Sequence, residues 1–245
     1  MKFSIIADIH ANFEALKEVI KTIEREKVDC IFVCGDIIGY GPDPEVCIEK
    51  IFSLTDLIVK GNHEEGIIKN DYSRFKKLSR ISIEWTAERT QKYIDKLEKL
   101  PDKITFENML FVHASISDPI YKYIFKKEEA EEEINLMDGK ICFFAHTHIP
   151  VAYRRKEEGG ETEIIMPDFN GRMEFKIEDG YKYLINVGSS GQPRDGLPMV
   201  CVSIYDTDSK LFKLDRVNYP SEITKNKVIE RGLPSSIGEK FLKGI

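Results

Sequence analysis

Every histidine in this chain stands just past the end of a short apolar run, and there are five of them. The runs are Phe3-Ser4-Ile5-Ile6-Ala7, Ile31-Phe32-Val33-Cys34, Leu57-Ile58-Val59-Lys60, Met109-Leu110-Phe111-Val112 and Ile141-Cys142-Phe143-Phe144-Ala145. They lead directly into Asp8-Ile9-His10, Gly35-Asp36, Gly61-Asn62-His63-Glu64, His113 and His146-Thr147-His148, in that order. Each run has the length and composition of a buried strand. In open α/β sheets ligands gather at the carboxyl ends of strands. A fold that satisfies the pattern must bring five strand ends to one place.

The segments between the runs support such a fold. Asn12 or a neighbour can cap a helix carrying Phe13, Leu16, Val19, Ile20 and Ile23 at helical spacing. Strands at 2–7, 29–33 and 56–59, with helices after the first and second, make a βαβαβ start and hence a parallel sheet with right-handed crossovers. Residues 79–99 read as a long amphipathic helix, and the stretch at about 65–100 is a candidate helical cap beside the site. Glu107-Asn108 reads as a hairpin turn between strands 103–107 and 109–112. Lys126 to Glu133 reads as a solvated helix face. Six strand-like runs lie between 151 and 217, more than one parallel sheet needs, so a second sheet packed on the first is expected, with antiparallel neighbours near the chain end. Residues 221–231 and 235–243 read as short helices. No linker divides the chain, so residues 1–245 are taken as a single domain.

Hydrophobic residues make up 42%, enough for a large core, and the net charge of −6 argues against a general nucleic-acid-binding surface. The five cysteines show no paired metal spacing and read as reduced, mostly buried thiols. With no signal-like start and no apolar run of membrane-spanning length, the expectation is a cytoplasmic protein without a membrane partner. A homo-oligomer is left open.

Asp8, His10, Asp36, Asn62, His113, His146 and His148 supply oxygen and nitrogen donors and no sulfur. That set suits divalent manganese, iron, cobalt, nickel or zinc, with manganese placed first. Seven ligands exceed what one ion with an open position needs; they suit two ions if a carboxylate bridges, and Asp36, on a central strand, is the natural bridge. Two ions roughly 3.5–4 Å apart can share a hydroxide near neutral pH and neutralise charge in an in-line displacement at phosphorus. His63 comes directly after Asn62, points elsewhere, and is the candidate general acid; Glu64 is a supporting residue rather than a ligand. Asn12, Tyr40 and Arg194 are candidate substrate contacts, Arg194 as a phosphate clamp.

As an ordered set, these motifs resemble those of the calcineurin-like metallophosphoesterases over residues 3 to 148. Asp8–Asn12, Gly35–Pro42 and Asn186–Gly196 are similar to the small prokaryotic phosphodiesterases of that superfamily. The resemblance implies an α/β four-layer α-β-β-α sandwich of two mixed sheets. It implies one ion held by Asp8, His10, Asp36 and His148, and another by Asp36, Asn62, His113 and His146. Gly39-Tyr40-Gly41 stands where protein phosphatases of the superfamily carry Asp-Arg-Gly, which argues against protein dephosphorylation. The expectation is a dinuclear phosphoesterase acting on a small phosphorylated substrate, diesters before monoesters. A nucleotide pyrophosphatase or dinucleoside polyphosphate hydrolase is the alternative on the same site. A scaffold without catalysis is the other, and the complete donor set argues against it.

Overall fold

The computed structural model describes residues 1–245. The first strand, β1 (Lys2–Ile6), alternates its side chains across two cores. Phe3 and Ile5 enter a cluster of 21 buried residues between two sheets, and Ile6 enters a second cluster of 24 beneath the helices. β2 (Cys30–Cys34) and β3 (Ile58–Val59) extend β1 in parallel. The crossovers are α1 (Phe13–Glu26) and α2 (Pro44–Leu54).

The chain then makes α3 (Asn62–Lys69), α4 (Lys77–Thr90), a 3-10 turn at Gln91–Tyr93, and α5 (Ile94–Leu97). The helix expected over 79–99 is therefore broken after Thr90. Ser82, Thr86 and Thr90 lie along it, and the Thr86 and Thr90 hydroxyls donate to carbonyls four residues back, competing with the helical ladder. Ile83, Ala87 and Leu97 are buried on the outer face of the first sheet, while Tyr93 and Ile94 are only partly covered.

The second sheet begins with the hairpin β4 (Lys103–Phe106) and β5 (Met109–Val112), with Glu107 in the left-handed region at the turn. β6 (Ile141–Phe144) comes after α6 (Lys127–Asn135) and pairs in parallel with β5. The strands after 150 divide between the sheets. β7 (Val151–Lys156), β8 (Glu163–Ile165) and β10 (Tyr181–Asn186) join the second; β9 (Met173–Lys176), β11 (Val200–Asp206) and β12 (Leu211–Val217) join the first. The orders are β3-β2-β1-β11-β12-β9 and β4-β5-β6-β10-β7-β8. β11 runs antiparallel to both β1 and β12, as expected near the chain end. Helices α7 (Ser221–Glu230) and α8 (Ser235–Lys243) complete the chain.

The result is the four-layer sandwich of two mixed six-stranded sheets. Between the sheets the Phe3 ring meets Phe32, Phe111 and Tyr205 edge to face with centroids 5.3–6.3 Å apart. Burying each such side chain contributes about 1.5–3 kcal/mol. All five cysteines are free thiols and four are buried. No helix is long and apolar enough to cross a membrane.

One surface expectation fails. Glu133 is not on a solvated face: it is 0% exposed and accepts from the Ile116 and Ser117 N–H groups, the Ser117 hydroxyl and Lys122 Nζ. It pins the loop between β5 and α6 from beneath.

Candidate metal centre

The ends of β1, β2 and β3 from one sheet and of β5 and β6 from the other converge on one buried cluster. Asp8 and His10 do not come together along an extended strand. β1 has ended, and both residues take left-handed backbone at φ 49° and 48°. Asp36, His146 and His148 do the same at φ 52°, 65° and 61°. Non-glycine residues held there cost on the order of 1–3 kcal/mol each, and such strain collects at functional sites. Backbone bonds between the loops hold the turns: Asp8 N–H to Gly35 O, His10 N–H to Asp36 O and Ala11 N–H to Ile37 O, at 2.8–3.1 Å.

Four of the imidazoles are each oriented by a carbonyl behind them, while buried His63 Nδ1 has no partner. Nδ1–H of His10 donates to Ile38 O at 3.0 Å, that of His113 to Cys34 O at 2.8 Å and that of His148 to Gln192 O at 2.5 Å. His146 is turned round and donates from Nε2 to Tyr121 O at 3.3 Å. These tautomers aim four lone pairs at one another. His10 Nε2 and His148 Nε2 are 3.1 Å apart, His113 Nε2 and His146 Nδ1 are 3.0 Å apart, and Asn62 Oδ1 lies 3.1 Å from His113 Nε2. Facing acceptors at such distances repel unless a cation lies among them. Buried Asp8 Oδ1 has no hydrogen-bond partner and lies 3.8 Å from His148 Nε2 and 3.9 Å from His113 Nδ1. The donor set therefore fits divalent cations.

Asp36 lies between two subsets. Its Oδ1 accepts from the His63 backbone N–H, while Oδ2 is 3.6 Å from His10 Nε2 and 3.5 Å from His113 Nε2. Compact donor groups form from Asp8, His10 and His148, from Asp36, His113 and His146, and also from His10, Asp36 and His63. Burial holds His113 down to about 4 and pushes Asp36 up to about 7. Burial, reinforced by the charge of Asp36, pushes Asp8 well up, and Arg194 opposes it. The imidazoles are thus neutral, as ligands must be.

Asn62 and His63 are the first residues of α3 and not an extended turn, with Gly61 as N-cap. Glu64 gives the helix its start: its carboxylate accepts from the N–H groups of Gly61, Asp36, Ile37 and Ile38 at 2.9–3.2 Å. It touches backbone beside the candidate donors and not the cluster. A Gly cap with Glu three residues on was the signal for this helix in the sequence.

Tyr40 lies at the cluster, its ring 4.8 Å from His10 and 4.9 Å from His63. The Arg194 guanidinium sits over Tyr40 at 5.4 Å and donates to Gln192 Oε1. The Asn12 side chain does not reach the cluster free: it accepts from Ala15 N–H and the Thr224 hydroxyl and donates to Gly191 O. It caps α1 as expected and ties α7 to it. The segment about 65–100 splits its role. Its helices pack on the sheet, and Phe75, between α3 and α4, meets the His63 ring at 5.0 Å. Sequence reasoning missed Phe75, Arg74, Tyr121 and Tyr123 beside the cluster; no periodicity or spacing marks them.

Gly39 is part of the site. At φ +86°, a Cβ there would lie 1.9 Å from His63 Nδ1. Gly39→Ala should displace the imidazole, and a displacement of about 1 Å costs on the order of 10²-fold in rate. Turnover and metal content together check this; a variant with full turnover would show that the position of His63 does not matter.

Residues 1–177 match the calcineurin-like phosphoesterases. The chain is 33% identical over 248 residues to an uncharacterized protein of Methanocaldococcus jannaschii, covering 98% of this chain and 97% of that one. A metallophosphoesterase from Sphaerobacter thermophilus superposes with TM-score 0.86 at 31% identity, over 100% of this chain and 99% of that one. A symmetrical bis(5′-nucleosyl)-tetraphosphatase of Wigglesworthia glossinidia brevipalpis is 28% identical over 133 residues, 47% of this chain and 45% of that protein, so the match spans less than half of its length.

Proposed function

The chain belongs to the calcineurin-like phosphoesterases, metal-dependent hydrolases of phosphoric esters, and from that premise we propose a phosphodiesterase with a dinuclear centre. The observation that carries the two-ion reading is the place of Asp36 Oδ2, within 3.6 Å of a histidine from each subset. One ion would take Asp8, His10, Asp36 and His148; the other Asp36, Asn62, His113 and His146. The donors contain no sulfur, which supports manganese, iron, cobalt, nickel or zinc over a thiolate site. Bound there, such ions would lower the pKa of a shared water and neutralise phosphoryl oxygens.

The chain's own residues do the rest. Glu64 and the carbonyls of Ile38, Cys34 and Gln192 fix the ligands before substrate arrives. Arg194, on the Tyr40 side, offers a guanidinium to a non-bridging phosphate oxygen. His63, buried against His10, Tyr40 and Phe75, faces the space where a leaving oxygen would depart. Residues 1–245 act as one unit in this reading, supported by the weaving of the strands after 150 into both sheets. A second reading, hydrolysis of dinucleoside polyphosphates, is favoured by the bis(5′-nucleosyl)-tetraphosphatase relatives.

A metal-by-substrate matrix tests both. Manganese-loaded protein should hydrolyse bis-p-nitrophenyl phosphate faster than p-nitrophenyl phosphate, and chelation should abolish turnover. Faster monoester cleavage, or activity indifferent to chelator, counts against the diesterase reading. Preference for a dinucleoside tetraphosphate over both supports the second.

A further inference from the structure

A cavity of about 310 Å³ opens beside the metal cluster, lined by Asn62, Arg74, Phe75, Tyr121, Tyr123 and His146. Its floor is the ligand pair Asn62 and His146. Its walls are two loops anchored in the cores, one through Tyr72 and Phe75 and the other through Ile116 and Ile124. One is the segment between α3 and α4. Asn70 ends α3 in the left-handed region, Asp71 Oδ1 accepts from Ser73 N–H, and Phe75 N–H donates to Tyr72 O. Gly66 has no side chain to displace the Phe75 ring, which a Cβ there would meet at 2.8 Å. The other wall is the loop after β5. Glu133 holds it at Ile116, Ser117 and Lys122, and Asp118 Oδ1 accepts from the N–H groups of Ile120 and Tyr121.

These pinned loops present aromatic faces to solvent beside the reacting centre. Tyr123 stacks on the His146 ring at 3.9 Å and 22°, yet is 44% exposed. Phe125 stacks with Tyr123 at 5.3 Å and is 58% exposed. Arg74 reaches from the first wall to the second, its guanidinium 4.4 Å over the Tyr121 ring. A cover for His146 needs only Tyr123. It does not need a second tyrosine, an arginine across the gap, and an open volume between them. Aromatic faces and an arginine plane are how proteins hold an unstacked base, and every base has a face to offer.

We infer that this cavity takes the nucleobase of the substrate, so that the esters cleaved are nucleotide esters. The inference rests on the phosphoesterase reading above and adds the substrate class to it. The base lies between the Phe75 and Tyr121–Tyr123 walls. The outward N–H groups of Arg74 donate to carbonyl and ring-nitrogen acceptors on its edge. The phosphoryl group then falls over Asn62 and His146, at the metal cluster. A cavity of this size is at the small end for ligand sites and suits one nucleoside.

The test is calorimetric titration of manganese-loaded protein with adenosine 5′-monophosphate and with ribose 5-phosphate, which lacks only the base. Stacking on aromatic side chains predicts about 5- to 100-fold tighter binding of the nucleotide. Arg74→Ala and Tyr121→Leu should each collapse that ratio towards one, and Tyr121→Phe should keep it. Equal binding of the two probes by the wild type, or a ratio unchanged in both Arg74→Ala and Tyr121→Leu, overturns the inference. The two readings fail separately. A protein that prefers the nucleotide but hydrolyses no phosphoester refutes the phosphodiesterase. One that hydrolyses bis-p-nitrophenyl phosphate yet binds both probes alike refutes the base site alone.

Discussion

Asp36→Asn should reduce the metal content from two ions per chain to one or fewer and lower turnover by on the order of 10⁴-fold, because each ion supplies several kcal/mol of charge stabilisation in such reactions. The geometry explains why so small a change matters. Oδ1 of Asp36 is committed to the His63 backbone N–H at 2.9 Å, and Oδ2 alone faces His10 and His113. Asparagine has one carbonyl oxygen for both tasks. If it keeps the His63 N–H, its amide group turns towards two imidazole lone pairs, donates to them, and competes with any cation. The fold should not suffer. Burial raises the Asp36 carboxyl to about 7, above its unfolded value, so folded protein free of metal binds more protons than unfolded protein between about pH 4 and 7. Its stability falls as pH rises through that window. Asparagine removes this term, so metal-free Asp36→Asn should unfold at an equal or higher temperature than metal-free wild type at pH 8, and at the same temperature near pH 4. Elemental analysis and thermal unfolding decide the matter. Two ions retained in the variant would end the bridging role.

That the wild type should be less stable for having its ligands is visible in the backbone. Five of the seven candidate ligands, Asp8, His10, Asp36, His146 and His148, take left-handed backbone, and so do Ala11 and Tyr40 beside them. The donor set was legible in the sequence because histidines are few and each stands after a run with the length and composition of a buried strand. The way those donors meet was not. Alternating apolar residues specify a strand but not its sheet, and so the division of the strands after 150 between two sheets could not be read. Nor does the sequence show the local backbone at either end of the site. Asp8 and His10 converge through left-handed turns held by Gly35 O and Asp36 O, contacts made across 27 and 26 residues of chain. Asn62 and His63 open a helix whose third residue, Glu64, is tied to the loop after β2. Tyr121 and Tyr123 left no trace in the sequence, since a loop residue has no period to betray the face it presents.

His63→Ala should keep both ions and lose about 10²–10⁴-fold on an alkyl phosphodiester, the range typical of a general acid, while changing little on a p-nitrophenyl ester. The two neighbours part company because successive residues of a helix point about 100° apart. Asn62 Oδ1 approaches His113, whereas the His63 ring lies 4.7 Å from the His10 ring. The backbone N–H of His63 serves Asp36 whatever the side chain is, so alanine tests the imidazole alone. Burial first, then the charges of Arg194 and His113, hold His63 well below its ordinary value, so it is neutral at pH 7. A neutral imidazole donates a hydrogen bond in the ground state. That hydrogen bond strengthens as charge grows on the oxygen that leaves. An alkoxide needs that help, and p-nitrophenolate, already a weak base, does not. Because His63 Nε2 lies 3.9 Å from Asp36 Oδ2 and shares a compact donor group with His10, the competing role is that of a ligand. Counting ions separates the two: a chain that loses one with His63→Ala carries a ligand at 63, and equal slowing on both esters makes it a substrate anchor. Retained ions with a gap of about 10² or more between the two esters leave only a donor to the leaving oxygen.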